Sequence, residues 1–333
     1  MGFCKFRAIR LGAFLLIAAG SLPAEIRGAA VWKDGSIITW GDGVALWNLS
    51  RGQRQDLVKG SFGEGGCVFA GGLAVQEAGG SGRFLWLNGT DWHAETIDTD
   101  SDTHDCLEVN LHGRHGLLVV HRYGQVRFYE RPQAPAKRWP YREVYSFYTA
   151  SRQGGLLFRD VDGDGRPDIF CGNYWIHNPE SFELSWRLFA VQLWYETPDS
   201  ALVRLASAGQ AVVVSQGEMK EARLAWFDPP ADRKQLWNEQ RLGEGLSLRR
   251  LHGLDAADVN GDGRIDVLAA ENAGKGSRVF LFRNEGAGNF QTQLIGETEG
   301  VVFLKAMDVN KDKRLDVVMA GAGGVTWREI SIQ

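Results

Sequence analysis

The feature that most constrains this chain is an acidic nonapeptide present in three copies. They read DVDGDGRPD from Asp160, DVNGDGRID from Asp258 and DVNKDKRLD from Asp308, each set between apolar residues of strand character. Their starts lie 98 and 50 residues apart, near two repeat units and one, so a degenerate unit is expected between the first two. Residues 211–214 (Ala-Val-Val-Val) and 226–229 (Trp-Phe-Asp-Pro) fill that place. Such a chain is a tandem array in which each unit buries its apolar faces against its neighbours.

A weaker signal runs the full length: a short apolar run, a glycine-containing turn, then an aromatic or apolar residue closely followed by a polar one. Seven units carry it. Their first runs are 37–40, 73–75, 117–120, 169–171, 212–214, 267–270 and 317–319. Their second runs are 46–48, 85–88, 128–130, 175–178, 226–228, 281–284 and 325–327. Every unit therefore supplies at least two strands, and no long helical periodicity competes. The 42 glycines and 12 tryptophans, against 9 prolines, favour turn-rich β structure.

Units of about 35–55 residues with roughly four strands each read as blades of a β-propeller. One small twisted sheet cannot cover both of its faces, whereas a ring of sheets buries each face against the next and leaves short edges. The expectation is an all-β, seven-bladed β-propeller, with six or eight blades as the alternatives, in a single domain over residues 25–333. Most tryptophans find their place in packing between blades. The last blade is one strand short, and the segment after Ala24 is available to complete it.

In the first acidic loop Asp160, Asp162 and Asp164 alternate, so a tight loop can turn three carboxylates toward one point, while Gly163 and Gly165 allow the backbone torsions and Asp168 closes the site. With the Arg166 carbonyl this is an oxygen set suited to Ca2+. The second loop offers Asp258, Asn260, Asp262, the Arg264 carbonyl and Asp266. The third offers Asp308, Asn310, Asp312, the Arg314 carbonyl and Asp316, but has Lys311 and Lys313 in place of glycine, so it is expected to bind most weakly. The flanks are strands and the ninth residue is Asp, unlike a helical calcium hand.

These loops and their flanks resemble the FG-GAP or VCBS repeats found in the integrin alpha-subunit head and in many secreted bacterial proteins. The resemblance is close over residues 150–333. It implies a propeller whose loops bind calcium through Asp160, Asp162, Asp164, Asp168, Asp258, Asn260, Asp262, Asp266, Asp308, Asn310, Asp312 and Asp316. Units one to three depart from it: Asp34-Gly35 and Asp42-Gly43 read as ordinary turns, and His112-Gly113-Arg114-His115 stands in place of an acidic loop. Because some propellers of this family are lectins or polysaccharide lyases, the resemblance also makes carbohydrate the leading ligand class.

Lys5, Arg7 and Arg10, an apolar stretch over 11–20 and small residues near Ala24 follow the order of an export signal over residues 1–24. No segment reaches the roughly 20 apolar residues of a membrane span, so a secreted or periplasmic protein without stable membrane insertion, acting as a monomer, is expected. Removing residues 1–24 takes the net charge from −4 to −7, which disfavours nucleic acid as a partner. Of Cys67, Cys106 and Cys171, at most one pair can form an internal disulfide, and Cys67 with Cys106 is the pair expected if they are not simply small buried residues. His104, His112, His115 and His121, with Asp105, cluster in sequence in the third unit and could meet near one mouth of the ring, although histidines on short loops are mostly solvated or locally hydrogen-bonded. His177 and His252 stand alone. No nucleophile elbow, phosphate loop or dinucleotide fingerprint is present. The composite expectation is a non-catalytic binding or interaction module for a protein or carbohydrate ligand, with a carbohydrate-active enzyme on the same scaffold as the alternative.

Overall fold

A computed structural model describes residues 25–80, 82–148 and 151–332; the expected export signal lies outside the described residues. Among the described residues, all regular structure is strand, apart from one short 3-10 turn at Lys33–Gly35. The first sheet has the order β1 (Ile26–Val31), β2 (Ile37–Asn48), β3 (Gln53–Phe69), β4 (Gly72–Glu77), β5 (Phe84–Leu87) and β6 (Ala94–Asp98). The second comprises β7 (Thr103–Leu111), β8 (Arg114–His121), β9 (Gln125–Tyr129) and β10 (Tyr141–Ser146). The third comprises β11 (Leu156–Arg159), β12 (Asp168–Cys171), β13 (Tyr174–His177) and β14 (Arg187–Ala190). The fourth comprises β15 (Val203–Ala208), β16 (Ala211–Gln216), β17 (Leu224–Asp228) and β18 (Asn238–Arg241). The fifth comprises β19 (Leu251–Ala257), β20 (Asp266–Glu271), β21 (Ser277–Gly286) and β22 (Asn289–Thr298). The sixth comprises β23 (Val301–Met307), β24 (Asp316–Gly321) and β25 (Gly324–Glu329).

Within each sheet, consecutive strands pair antiparallel. The leading strands meet around a ring, with β7 beside β3 and β11, β15 beside β11 and β19, and β23 beside both β19 and β1. Each interface is an apolar cluster drawn from two neighbours. Ile169, Cys171 and Ile176 pack on Leu118, Val120 and Phe128, and Val267, Phe280 and Phe282 pack on Val213 and Leu224. The closing interface sets Val309, Val318 and Val325 against Ile26, Ile37 and Trp47. This is a β-propeller.

The expected count of seven blades is corrected to six hydrogen-bonded sheets among the described residues, the lower of the two alternatives to seven. In the other units the two predicted runs are adjacent strands, as with β12 and β13 or β20 and β21, but in the first unit residues 37–40 and 46–48 lie on the single strand β2. The Asp42-Gly43 pair, expected as a turn, is a register shift inside that strand. β3 then runs without a break from β2 to β4, so the first two units share it and fuse. The fused sheet folds over on itself, and Ile38 and Trp40 of β2 pack on Leu73, Val75 and Leu85 of β4 and β5. The segment after Ala24 is also placed differently: β1 pairs with β2, and the last sheet stays three-stranded.

A disulfide joins Cys67 on β3 to Cys106 on β7, tying the first sheet to the second near the channel, and Cys171 is buried and free. The bond closes a sequence separation of 39 residues, which on chain-entropy grounds stabilises the fold by about 2–4 kcal/mol. The double variant Cys67→Ser/Cys106→Ser is expected to lose about that much in urea unfolding monitored by tryptophan fluorescence; an unchanged midpoint would show that the link contributes nothing.

Candidate functional site

The three acidic segments occupy equivalent positions: each joins the first strand of its sheet to the second, β11 to β12, β19 to β20 and β23 to β24. Where the sequence lacks the motif, a tight turn takes the same place, as with Ala70-Gly71 and His112-Gly113, all four residues having positive φ. The loops share a closely similar internal hydrogen-bond pattern, the first donor to the opening carboxylate lying one position later in the third loop. Asp160 accepts from the Gly163 and Gly165 N–H groups at 2.8 and 2.9 Å. Asp258 accepts from Gly261 and Gly263 at 2.7 and 2.8 Å, and Asp308 from Asp312 and Lys313 at 3.1 and 2.9 Å. The fifth-position carboxylates Asp164, Asp262 and Asp312 accept from the N–H of Arg166, Arg264 and Arg314. The closing residues Asp168, Asp266 and Asp316 are buried and accept from Val161, Val259 and Val309 at 3.0–3.1 Å.

In the first loop, oxygens of Asp160, Asp162 and Asp168 lie within 4.8 Å of one another. An ion with oxygen ligands at 2.3–2.6 Å can span that separation, so the donor set fits Ca2+ in both chemistry and reach. Burial pushes the Asp168 carboxyl up to about 6, with the nearby Asp162 charge adding to it, against the N–H groups of Asn178 and Val161. Burial likewise raises Asp266 and Asp316. Asp162 and Asp164 also gather with His177, whose Nε2 is 3.4 Å from each. That neighbour is invisible in the nonapeptide because it comes from the end of β13, the strand that pairs with β12.

The second and third loops differ in detail. Asn260 donates to Asp262 at 2.7 Å, and Asn310 lies 3.4 Å from Glu329. The arginines expected to offer only a carbonyl also bring their side chains in: those of Arg166, Arg264 and Arg314 pair with Asp164, Asp262 and Asp312. Lys311 and Lys313 take φ of 63° and 68°, where the glycines of the other loops have 75–85°, so the pattern is kept at the expense of left-handed backbone in residues with a Cβ.

The second feature is the central channel, a cavity of about 280 Å³ lined from β1, β3, β7, β15, β19 and β23 and their neighbours. His104 and Asp105 on β7, Arg204 on β15 and His252 on β19 converge there. His104 Nδ1 hydrogen-bonds Asp105 Oδ2, and the Gly155 N–H donates to the same oxygen at 2.6 Å. Burial alone would raise Asp105, but His104, Arg204 and Gly155 hold it well below the usual carboxylate range. Arg204 reaches His104 Nε2 at 3.4 Å and His252 Nδ1 at 3.3 Å. A guanidinium only donates, so both imidazole nitrogens facing it accept.

The third-unit histidines do not converge, in keeping with the expectation that histidines on short loops are mostly solvated or locally hydrogen-bonded. His112 lies against Phe182 and hydrogen-bonds Asn178, His115 pairs with Glu108 on the surface, and only His104 enters the channel. His121 instead lines an adjoining cavity of about 920 Å³ that shares Arg27 and Glu64 with the channel. There it sits between Ser101 and the Tyr129 hydroxyl, which donates to buried Asp98 at 2.6 Å.

Burial, helped by Arg127, pushes His121 down to about 3; burial, helped by Arg204 and Arg250, pushes His252 down to about 2. Both are neutral when folded and bind a proton more readily when unfolded, so their stabilisation is complete above about pH 6.5 and is lost as pH falls toward 3. The melting temperature is expected to drop between pH 7 and pH 4.5, and His121→Asn should flatten that slope; an equal slope in the variant would overturn the assignment. In the third loop, the double variant Lys311→Gly/Lys313→Gly is expected to stabilise the fold by about 1 kcal/mol in urea unfolding by relieving the left-handed residues.

Residues 258–327, which span the second and third acidic loops, match the family described as FG-GAP-like repeat. No curated protein matches the sequence. Among solved structures, the chain is similar to the extracellular domain of the two-component system BT4673 from B. thetaiotaomicron, with a TM-score of 0.60 and 14% identity over 96% of this chain. It spans 40% of the length of that protein chain. It is also similar to the β-propeller domain of Myceliophteria thermophila Cps50 (Swd1), with a TM-score of 0.59 and 10% identity over 92% of this chain and 97% of the other. U3-55K gives a TM-score of 0.60 and 12% identity over 96% and 98%. At these identities the likeness is one of fold. Residues 258–327 are thus an FG-GAP-like repeat, carried on a chain that folds as a β-propeller.

Proposed function

We propose that this chain is a calcium-braced, exported β-propeller that works as a non-catalytic ligand-binding or protein-interaction module, with carbohydrate as the ligand class and the channel mouth as the binding face. The observation that carries the calcium reading is the recurrence of one hydrogen-bonded acidic loop at three equivalent junctions, with three carboxylates of the first loop within reach of a common ion. The ligands are Asp160, Asp162, Asp164 and Asp168, with the corresponding residues of the second and third loops and the carbonyls of Arg166, Arg264 and Arg314. Clustered carboxylates repel one another, and an ion between them stabilises the folded loop by mass action.

Two observations support export: a disulfide between Cys67 and Cys106 suits an oxidising compartment, and one structural neighbour is an extracellular domain. A second reading, a carbohydrate-active enzyme such as a polysaccharide lyase, is favoured by one observation: His104, Asp105, Arg204 and His252 meet at the channel, as an acid–base site requires.

Adding calcium to chelator-treated protein is expected to raise its stability by about 2.7 kcal/mol per occupied loop at a hundredfold excess over Kd, and Asp160→Asn should remove the first loop's contribution. A melt insensitive to chelator would sink the calcium reading. Glycan-array binding without release of shortened or unsaturated products would support the module; product release that disappears in His104→Gln would establish the enzyme instead.

A further inference from the structure

The channel holds six formal charges besides its imidazoles: Arg27, Arg204 and Lys305 against Glu64, Asp105 and Asp255. Five of them are spent at close range. Lys305 donates to Asp255 at 2.8 Å, and Asp255 also accepts from the Ala306 N–H at 2.8 Å. Arg27 donates to the Phe62 carbonyl at 2.9 Å and to Glu25 at 2.6 Å. Glu64 accepts from Arg122 at 2.9 Å. Asp105 is taken by His104 and Gly155. Arg204 differs: its nearest partners are two imidazole nitrogens at 3.3 and 3.4 Å and Asp105 at 3.7 Å. Ordinary N–H···O bonds to a charged partner run to about 2.7–2.9 Å, so most of its donor capacity is uncommitted. Its flanking imidazoles turn lone pairs toward it and supply no negative charge.

We infer that Arg204 binds the carboxylate of a small hydroxylated organic acid in the central channel, an inference that rests on the channel being the ligand site. A planar guanidinium matches a carboxylate in bidentate fashion. One uncommitted positive charge, with three carboxylates nearby, suits a monoanion and disfavours a dianion. The remaining wall offers Asp255 and Glu64 as hydroxyl acceptors and Trp40 and Phe303 as apolar surface, which suits a hydroxyl-bearing ring. A cavity of about 280 Å³ lies at the small end of ligand pockets, the size of one sugar-acid residue.

The test is calorimetric titration of the calcium-loaded full chain with D-glucuronate, acetate and D-glucose. Glucuronate is expected to bind at least tenfold more tightly than glucose, and Arg204→Gln to weaken it by about 10- to 100-fold while the melting temperature holds. Should Arg204→Gln fold poorly, Arg204→Lys replaces it, keeping the charge but losing the fork, with a partial loss expected. Acetate binding as tightly as glucuronate would keep the carboxylate contact but overturn the assignment to a hydroxylated acid; acetate binding far more weakly would support it. Glucose binding as well as glucuronate, or glucuronate unaffected by Arg204→Gln, overturns the inference yet leaves a ligand-binding channel intact. Failure of all three compounds, with a glycan array also blank, would remove the channel reading itself.

Discussion

Face-to-face burial between neighbouring sheets is the constraint on which everything else in this protein rests. A strand such as β16, with Val212, Val213 and Val214 all buried, presents apolar side chains to both faces, so it needs a neighbour on each side. Only a closed ring satisfies that for every sheet at once. The clusters joining the sixth sheet to β1 and β2 complete the circuit. Once the ring closes, the first strand of each sheet must line a central channel, and the residues there are brought together by closure and by nothing local.

The acidic loops are subordinate to that architecture but exploit it. Each leaves a strand that borders the channel and returns on a fully buried second strand, so its ninth residue is drawn into the core, as is the valine at its second position, while its other carboxylates stay exposed or half-buried. That is why Asp168, Asp266 and Asp316 are desolvated and their neighbours are not. The backbone N–H groups that hold these carboxylates in place preorganise the loop, and a cation would relieve the repulsion that the preorganisation creates. The differences between copies, His177 beside the first loop, Asn260 turned to Asp262 in the second and paired lysines in the third, give three variations on one device.

Much of this was legible in the sequence. The nonapeptides, the strand runs around them and the turn residues identify the repeat, because a period-two strand and a glycine at positive φ leave local marks. The Cys67–Cys106 pair and the positions of the second and third strands from β4 onward were legible too. The blade count was not: the first unit carries two apolar runs like every other, yet both lie on β2, and whether an Asp-Gly pair turns the chain or merely shifts its register depends on what pairs with it. The convergence of His104, Asp105, Arg204 and His252 was not legible either, since the group spans three repeat units. The histidines that neighbour one another in sequence disperse because alternate residues and opposite strand ends point to different places.

The sequence by itself therefore determined the all-β repeat, the acidic oxygen sets and their equivalent placement, because these depend on local torsional preference and on residues within nine positions of one another. The tertiary structure alone decided how many sheets the repeat makes, where β1 pairs and which side chains share the channel. Those outcomes depend on pairing and packing between distant segments, and the free energy of such contacts is not written at any one position in the chain.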